Sequence, residues 1–121
     1  MAMFKVIIAG SRHFNDYKRM KKDLDYLLSR KAREETIEIV SGGCRGADAC
    51  GERYAREMGY SLVVFPANWD QFGKIAGPIR NHHMAEYADA LVAYLAPGSR
   101  GTSSMIEEAR RAGLRVIIRQ I

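Results

Sequence analysis

The apolar positions of this chain change spacing as the chain proceeds. Residues 4–9 (FKVIIA) form a nearly continuous apolar run, the pattern of a strand covered on both faces. From Asn15 onward, Tyr17, Met20, Leu24, Leu27 and Leu28 recur at helical spacing, which predicts a helix capped by Asn15 or Asp16. Residues 36–40 read as strand again. Ala47, Cys50, Tyr54 and Met58 draw a second helical stripe that stops before Gly59, a natural C-cap residue. Residues 62–65 are a third strand, and 68–78 a loop carrying Trp69, Phe72 and Lys74. Residues 79–88 are a short helix entered through Pro78. A fourth strand at 91–95, a helix at 102–112 closed by Gly113, and a last strand at 115–118 complete the series.

Repeated strand-then-helix alternation with right-handed crossovers implies a parallel sheet covered on both faces. The expectation is therefore one doubly wound α/β domain over residues 1–121, with a mainly parallel five-stranded sheet and no internal repeat or linker. A chain of this length can bury about two-thirds of its unfolded surface around a core. The 47% apolar content excludes a disordered chain. No apolar run spans a bilayer, and the first residues read as a strand rather than a secretory leader. Cys44 and Cys50, with no second pair, make neither a disulfide framework nor a zinc site, which suits a reducing, cytoplasmic setting. The formal charge of +5 fits either an anionic partner or a merely solvated surface.

In doubly wound sheets, ligands bind beyond the carboxyl ends of the strands, where strand order reverses. Three such ends repeat one chemistry here. The first is Gly10, Ser11 and Arg12. The second is Ser41, Gly42, Gly43, Cys44, Arg45 and Gly46. The third is Gly98, Ser99, Arg100, Gly101 and Thr102. With strand order 3-2-1-4-5, the three loops would line one cleft. Glycine allows close backbone approach, helix N-termini offer free N–H donors, and arginine presents a charged fork suited to phosphate oxygens. The combination points to an anionic ligand. It is not the nucleoside-triphosphatase P-loop, which needs Gly-Lys-Ser or Gly-Lys-Thr, nor the GxGxxG dinucleotide fingerprint.

GSRHF at 10–14, SGGCRGADACGERYA at 41–55, NWDQFGKIAGPIRN at 68–81 and GSRGTSSMI at 98–106 together resemble the SLOG superfamily. That group joins DNA-processing protein A (Smf) to the Lonely-Guy phosphoribohydrolases, and the likeness is nearest its small YspA/YpsA-related branch. The resemblance implies a Rossmann-like sheet and a nucleotide or nucleotide-derived ligand, related to ADP-ribose or NAD. Against the Lonely-Guy signature, Arg80, Asn81 and Met84 fall on the first part and Gly98, Gly101 and Thr102 on the second. Asn81 replaces a lysine, Ser99 a glycine, and Met105 stands where that family has its glutamate. A methionine cannot stabilise a developing oxocarbenium ion, and Glu108 is one turn further on.

Asp48 and Glu52 share a helix face near the cleft; they can bind ribose hydroxyls, act as an acid/base pair, or simply meet the helix dipole. Cys44 sits among arginines, where a thiolate is favoured, or merely fills a turn. His82, His83 and His13 lack metal-ligand spacing, so no metal is expected, and no resident cofactor. Trp69 and Phe72 can stack on a base or pack their own loop down. The first functional reading is a sensor or sequestering domain for an NAD- or ADP-ribose-like nucleotide. The second is a hydrolase cleaving an N-glycosidic or phosphate bond of such a ligand. A third, single-stranded nucleic-acid binding, is favoured by the charge but lacks an aromatic-interleaved basic stripe. No membrane partner is expected, and self-association is left open.

Overall fold

Two apolar runs, at β1 (Met3–Gly10) and β4 (Ala90–Leu95), lie side by side at the centre of a five-stranded sheet. Their pairing is parallel, from Val6 opposite Ala90 to Gly10 opposite Tyr94. β2 (Thr36–Ser41) and then β3 (Ser61–Val64) extend the sheet beyond β1, and β5 (Arg115–Gln120) extends it beyond β4. The order is β3-β2-β1-β4-β5 and every neighbouring pair is parallel. The computed structural model describes residues 2–121.

Alternate residues of the strands feed two cores. Val6, Ile8, Ile39 and Val92 pack against α1 (Tyr17–Glu34) and α2 (Ala47–Met58), which supply Met20, Leu24, Leu28, Tyr54 and Ala55. Ile7, Ala9, Leu91 and Ala93 pack against α4 (Ala76–Tyr87) and α5 (Arg100–Arg111), which supply Met84, Ala85, Met105, Ile106 and Ala109. Helices thus cover both faces, and the arrangement is a Rossmann-like, doubly wound α/β fold. Gly51 keeps α2 close to the sheet, since a Cβ there would stand 2.7 Å from Cβ of Ile8.

Buried tyrosines tie this framework together. Tyr94 donates its hydroxyl to Asp23 at 3.0 Å and Tyr54 donates to Asp25 at 2.8 Å, so both phenols find partners on α1. At the amino ends of the strands, the buried carboxylate of Glu38 accepts hydrogen bonds from Tyr87 and from Ser61 at 2.8 Å.

The elements depart from expectation in a few places. Residues 68–78 are not an open loop. They form a short helix α3 (Trp69–Phe72), a 3-10 turn (Gly73–Ile75) and the start of α4. Asn68 caps α3 by accepting the Gln71 N–H at 3.0 Å, and Pro78 lies inside the first turn of α4, where its missing N–H has no intrahelical partner to lose. Met58 is 39% exposed, so the buried stripe of α2 runs through Ala47, Gly51, Tyr54 and Ala55 instead. β5 runs on to Gln120. Among the described residues, no helix is long and apolar enough to cross a membrane.

Candidate functional site

β1 and β4 are the pair at which the order of winding reverses. Beyond their carboxyl ends opens a cleft of about 380 Å³. Its walls come from four segments: Gly10 to His13 after β1, Cys44 and Asp48 at the start of α2, Arg80, Asn81 and Met84 of α4, and Ala96 to Ser99 with Gly101, Thr102 and Met105 after β4.

The first wall is held by main-chain bonds. Ser11 donates its N–H to Tyr94 O at 3.0 Å, and its own carbonyl accepts the N–H groups of Ala47 at 3.0 Å and Phe14 at 3.2 Å. This seats the start of α2 against the β1 loop. Gly46, at φ +80°, is required there, because a side chain would run into Ser11 O and the Arg12 backbone.

The turn between β2 and α2 is built around polar side chains. Ser41 is fully buried; its hydroxyl donates to Glu52 at 2.6 Å and accepts the Gly43 N–H at 3.0 Å. A Cβ on Gly42 would stand 2.8 Å from Nη1 of Arg80 and 2.9 Å from Oδ2 of Asp48. Arg80 donates from Nη1 to Gly42 O at 2.6 Å and from Nε to Asn81 Oδ1 at 2.9 Å. Buried Asn81 reaches on toward α5, with Nδ2 3.4 Å from Ser104 Oγ and 3.5 Å from Gly101 O. Gly42, Arg80, Asn81 and the first turn of α5 thus form a bonded chain across the back of the cleft.

Asp48 is 6% exposed, and its Oδ2 accepts the Cys44 N–H at 3.3 Å. Burial pushes this carboxyl up to about 6, offset in part by the Cys44 N–H and the charge of Arg80, while Glu52 adds to the rise. On the opposite wall, Ser99 begins α5 and donates its hydroxyl to Thr102 Oγ1 at 2.8 Å. No side-chain oxygen caps the first-turn N–H groups of α5, nor those of α2 behind Gly46. Both helices present the positive end of a dipole at the cleft.

Of the residues the sequence singles out, Gly10, Ser11, Arg12, Asp48, Arg80, Asn81, Gly98, Ser99, Gly101 and Thr102 meet in this cleft. Ser41, Gly42, Gly43, Arg45, Gly46 and Arg100 are not among its lining residues. Ser41, Gly42 and Gly46 are spent on the turn itself, and Arg45 and Arg100 are exposed. His13, weighed in the sequence only as a metal ligand, lines the cleft, as do Cys44 and the apolar Met84 and Met105. Its place after the Gly10–Arg12 strand end was the available signal. Glu108 is held by His82 at 2.8 Å and by Arg111 at 3.1 Å, away from the lining. Trp69 and Phe72 are 50% and 39% exposed on α3, also outside it. Among the described residues, no group of three or more His, Cys, Asp or Glu side chains could hold a metal ion.

The family model described as YspA, cpYpsA-related SLOG family (YAcAr) matches residues 4–72, which carry β1 through α3 and the first two of the three glycine-rich strand ends. The chain belongs to this SLOG family. Gene 61 protein of Mycobacterium phage D29 is 35% identical over 95% of each chain. DNA processing protein A (DprA) from Streptococcus pneumoniae superposes on 97% of this SLOG chain with a TM-score of 0.74 at 18% identity. The chain spans about half of that DprA, covering 50% of its length. A structural-genomics target designated TM1055 gives a TM-score of 0.64 at 19% identity, over 96% of this chain and 72% of its own. At these identities the two structures speak for the shared fold.

Proposed function

We propose that this SLOG chain binds a nucleotide or nucleotide derivative of the NAD or ADP-ribose class in the cleft between β1 and β4, as a sensor or sequestering domain. The observation that carries this reading is the treatment of glycine on the two walls. On the β2–α2 side, protein atoms crowd the place where a Cβ would stand. At Gly101, whose φ is not positive, a Cβ would meet nothing within 4 Å; Gly98 is equally open, but its φ of +76° accounts for glycine there. A glycine in a helical turn costs stability relative to alanine, and no neighbouring protein atom requires the one at Gly101. A ligand that approaches the α5 backbone closely does. Two helix N-termini without a side-chain cap, Arg12 and the Arg80 wall supply the complement to its phosphates. Family membership supports a nucleotide-related ligand.

Calorimetric titration with AMP, ADP, NAD and ADP-ribose tests the proposal. At least one saturable isotherm is expected, and a folded protein silent to the whole panel would refute it. Incubation with nucleoside monophosphates separates the binding reading from the hydrolase reading. Met105 is buried at the floor of the cleft, and Glu108 is bonded to His82 and Arg111 elsewhere. No free base above background is expected, whereas robust release would move the assignment to an enzyme.

A further inference from the structure

Asp48 is out of character with its surroundings. Among the described residues it is the only carboxylate lining a cleft otherwise furnished with Arg12, Arg80, hydroxyls and helix N-termini. An ionised acid there repels the phosphate that these groups attract. The Arg80 charge and two main-chain N–H groups, of Cys44 and Gly42, only partly compensate it. Arg80 directs Nη1 to Gly42 O and Nε to Asn81, and Asp48 forms no ion pair within 4.0 Å among the described residues. Its bond from the Cys44 N–H is long, at 3.3 Å, the Gly42 N–H adds a smaller contribution, and Glu52 one turn away opposes both with a second negative charge. Burying a carboxyl under these conditions opposes ionisation, as its upward displacement reflects. A turn cap or a partner for the helix dipole would serve as well from an exposed position, without that cost.

Resting on the nucleotide reading above, we propose that Asp48 accepts a hydrogen bond from a sugar hydroxyl of the ligand, making the cleft selective for a ribosyl phosphate over its deoxy counterpart. The two ends of the ligand are then read from different walls. Its phosphate faces Arg12 and the first turn of α5, and its ribose faces the start of α2. Asp48 is thereby a specificity-determining residue. It gives up some anion affinity in return for rejecting ligands that bring a phosphate and no adjacent hydroxyl.

The test titrates AMP, 2′-deoxy-AMP, 3′-deoxy-AMP and inorganic pyrophosphate into the parent protein and into Asp48→Asn, with thermal melts confirming that both are folded. The parent is expected to prefer AMP over at least one deoxy analogue by about tenfold or more, the worth of a charge-assisted bond. Asp48→Asn is expected to compress that ratio to within about threefold while binding pyrophosphate as well as the parent or better. A residue that only caps its turn would move all four affinities down together, and that result overturns the inference. So does a parent that binds AMP and both deoxy analogues alike. Pyrophosphate binding without ribose preference defeats this inference alone, as does silence to all four ligands when ADP, NAD or ADP-ribose still binds; silence to those three as well defeats the nucleotide reading. Should Asp48→Asn fail to fold, the parent's own ribose-to-deoxyribose ratio decides.

Discussion

Arg80 donates to a main-chain carbonyl of the β2–α2 turn at 2.6 Å and to Asn81 at 2.9 Å, so its removal strikes the framework as well as the cleft. Arg80→Ala is expected to cost about 1–3 kcal/mol of stability, the range for a charged donor leaving partly buried acceptors, and to weaken nucleotide binding. Arg45→Ala, exposed and outside the lining, should leave both within about 0.5 kcal/mol. Paired melts and titrations check this contrast. From the sequence the two arginines look equivalent, because each follows a glycine-rich stretch; which fork finds a carbonyl depends on α4 crossing the turn from a distance of 38 residues. Asp48 allows a pH prediction. Its folded carboxyl titrates near 6 and its unfolded one near 3.8, so the native state holds the extra proton between them. Stability contributed by the protonated form is present below about pH 4 and is lost as pH rises toward 6. Asp48→Asn, which cannot ionise, should therefore gain on the parent across that window, by at most about 3 kcal/mol. Glu52, Arg80, Arg12 and His13 are common to both proteins, so the comparison is made at each pH between parent and variant. Denaturant melts at pH 4 and pH 7.5 that show a constant difference would remove the buried-charge account.

At the level of elements, α5 offers the cleanest separation of folding from binding. Gly101 occupies its first turn, with open space where a Cβ would be. Gly101→Ala should hold or raise the melting temperature, by no more than the ~1 kcal/mol that glycine costs within a helix, while weakening ligand binding by about tenfold or more. A variant that is stabilised and binds normally would place the ligand elsewhere. The same substitution at Gly42 should lower stability, because Arg80 already fills the space. This pair also shows where reading the sequence stops. The alternation of strand and helix was legible because apolar spacing differs between the two, and the glycine-rich strand ends were visible as composition. Whether a glycine makes room for protein or for a ligand is not written locally, since it depends on what other segments bring to that point. The stretch 68–78 misled for a related reason. Its glycines and proline signal a loop, yet the Asn68 cap and a first-turn proline are compatible with helix once α4 has the sheet to pack on.

For the molecule as a whole, the formal charge of +5 predicts weak association with single-stranded nucleic acid that falls steeply as salt rises. A gel-shift series in salt measures it. Tight binding, lost on changing basic residues outside the cleft, would favour the nucleic-acid reading over the nucleotide one. The sheet order carries a different consequence. β1 lies between β2 and β4, and the partner of Val6 on the β4 side is Ala90. During synthesis at about 5–20 residues per second, the open flank of β1 waits roughly 4–17 s for the segment that will cover it. That flank carries Val6 to Ala9, buried in the finished sheet and a ready template for another chain's strand until then. A fragment ending at residue 88 should therefore sediment as aggregate where the full chain stays dispersed, and a fragment that remains monomeric would show that β4 is not needed to protect β1. The cleft between the two strands comes into being only after that wait, so a nascent chain has nothing with which to capture the proposed nucleotide until most of it has left the ribosome.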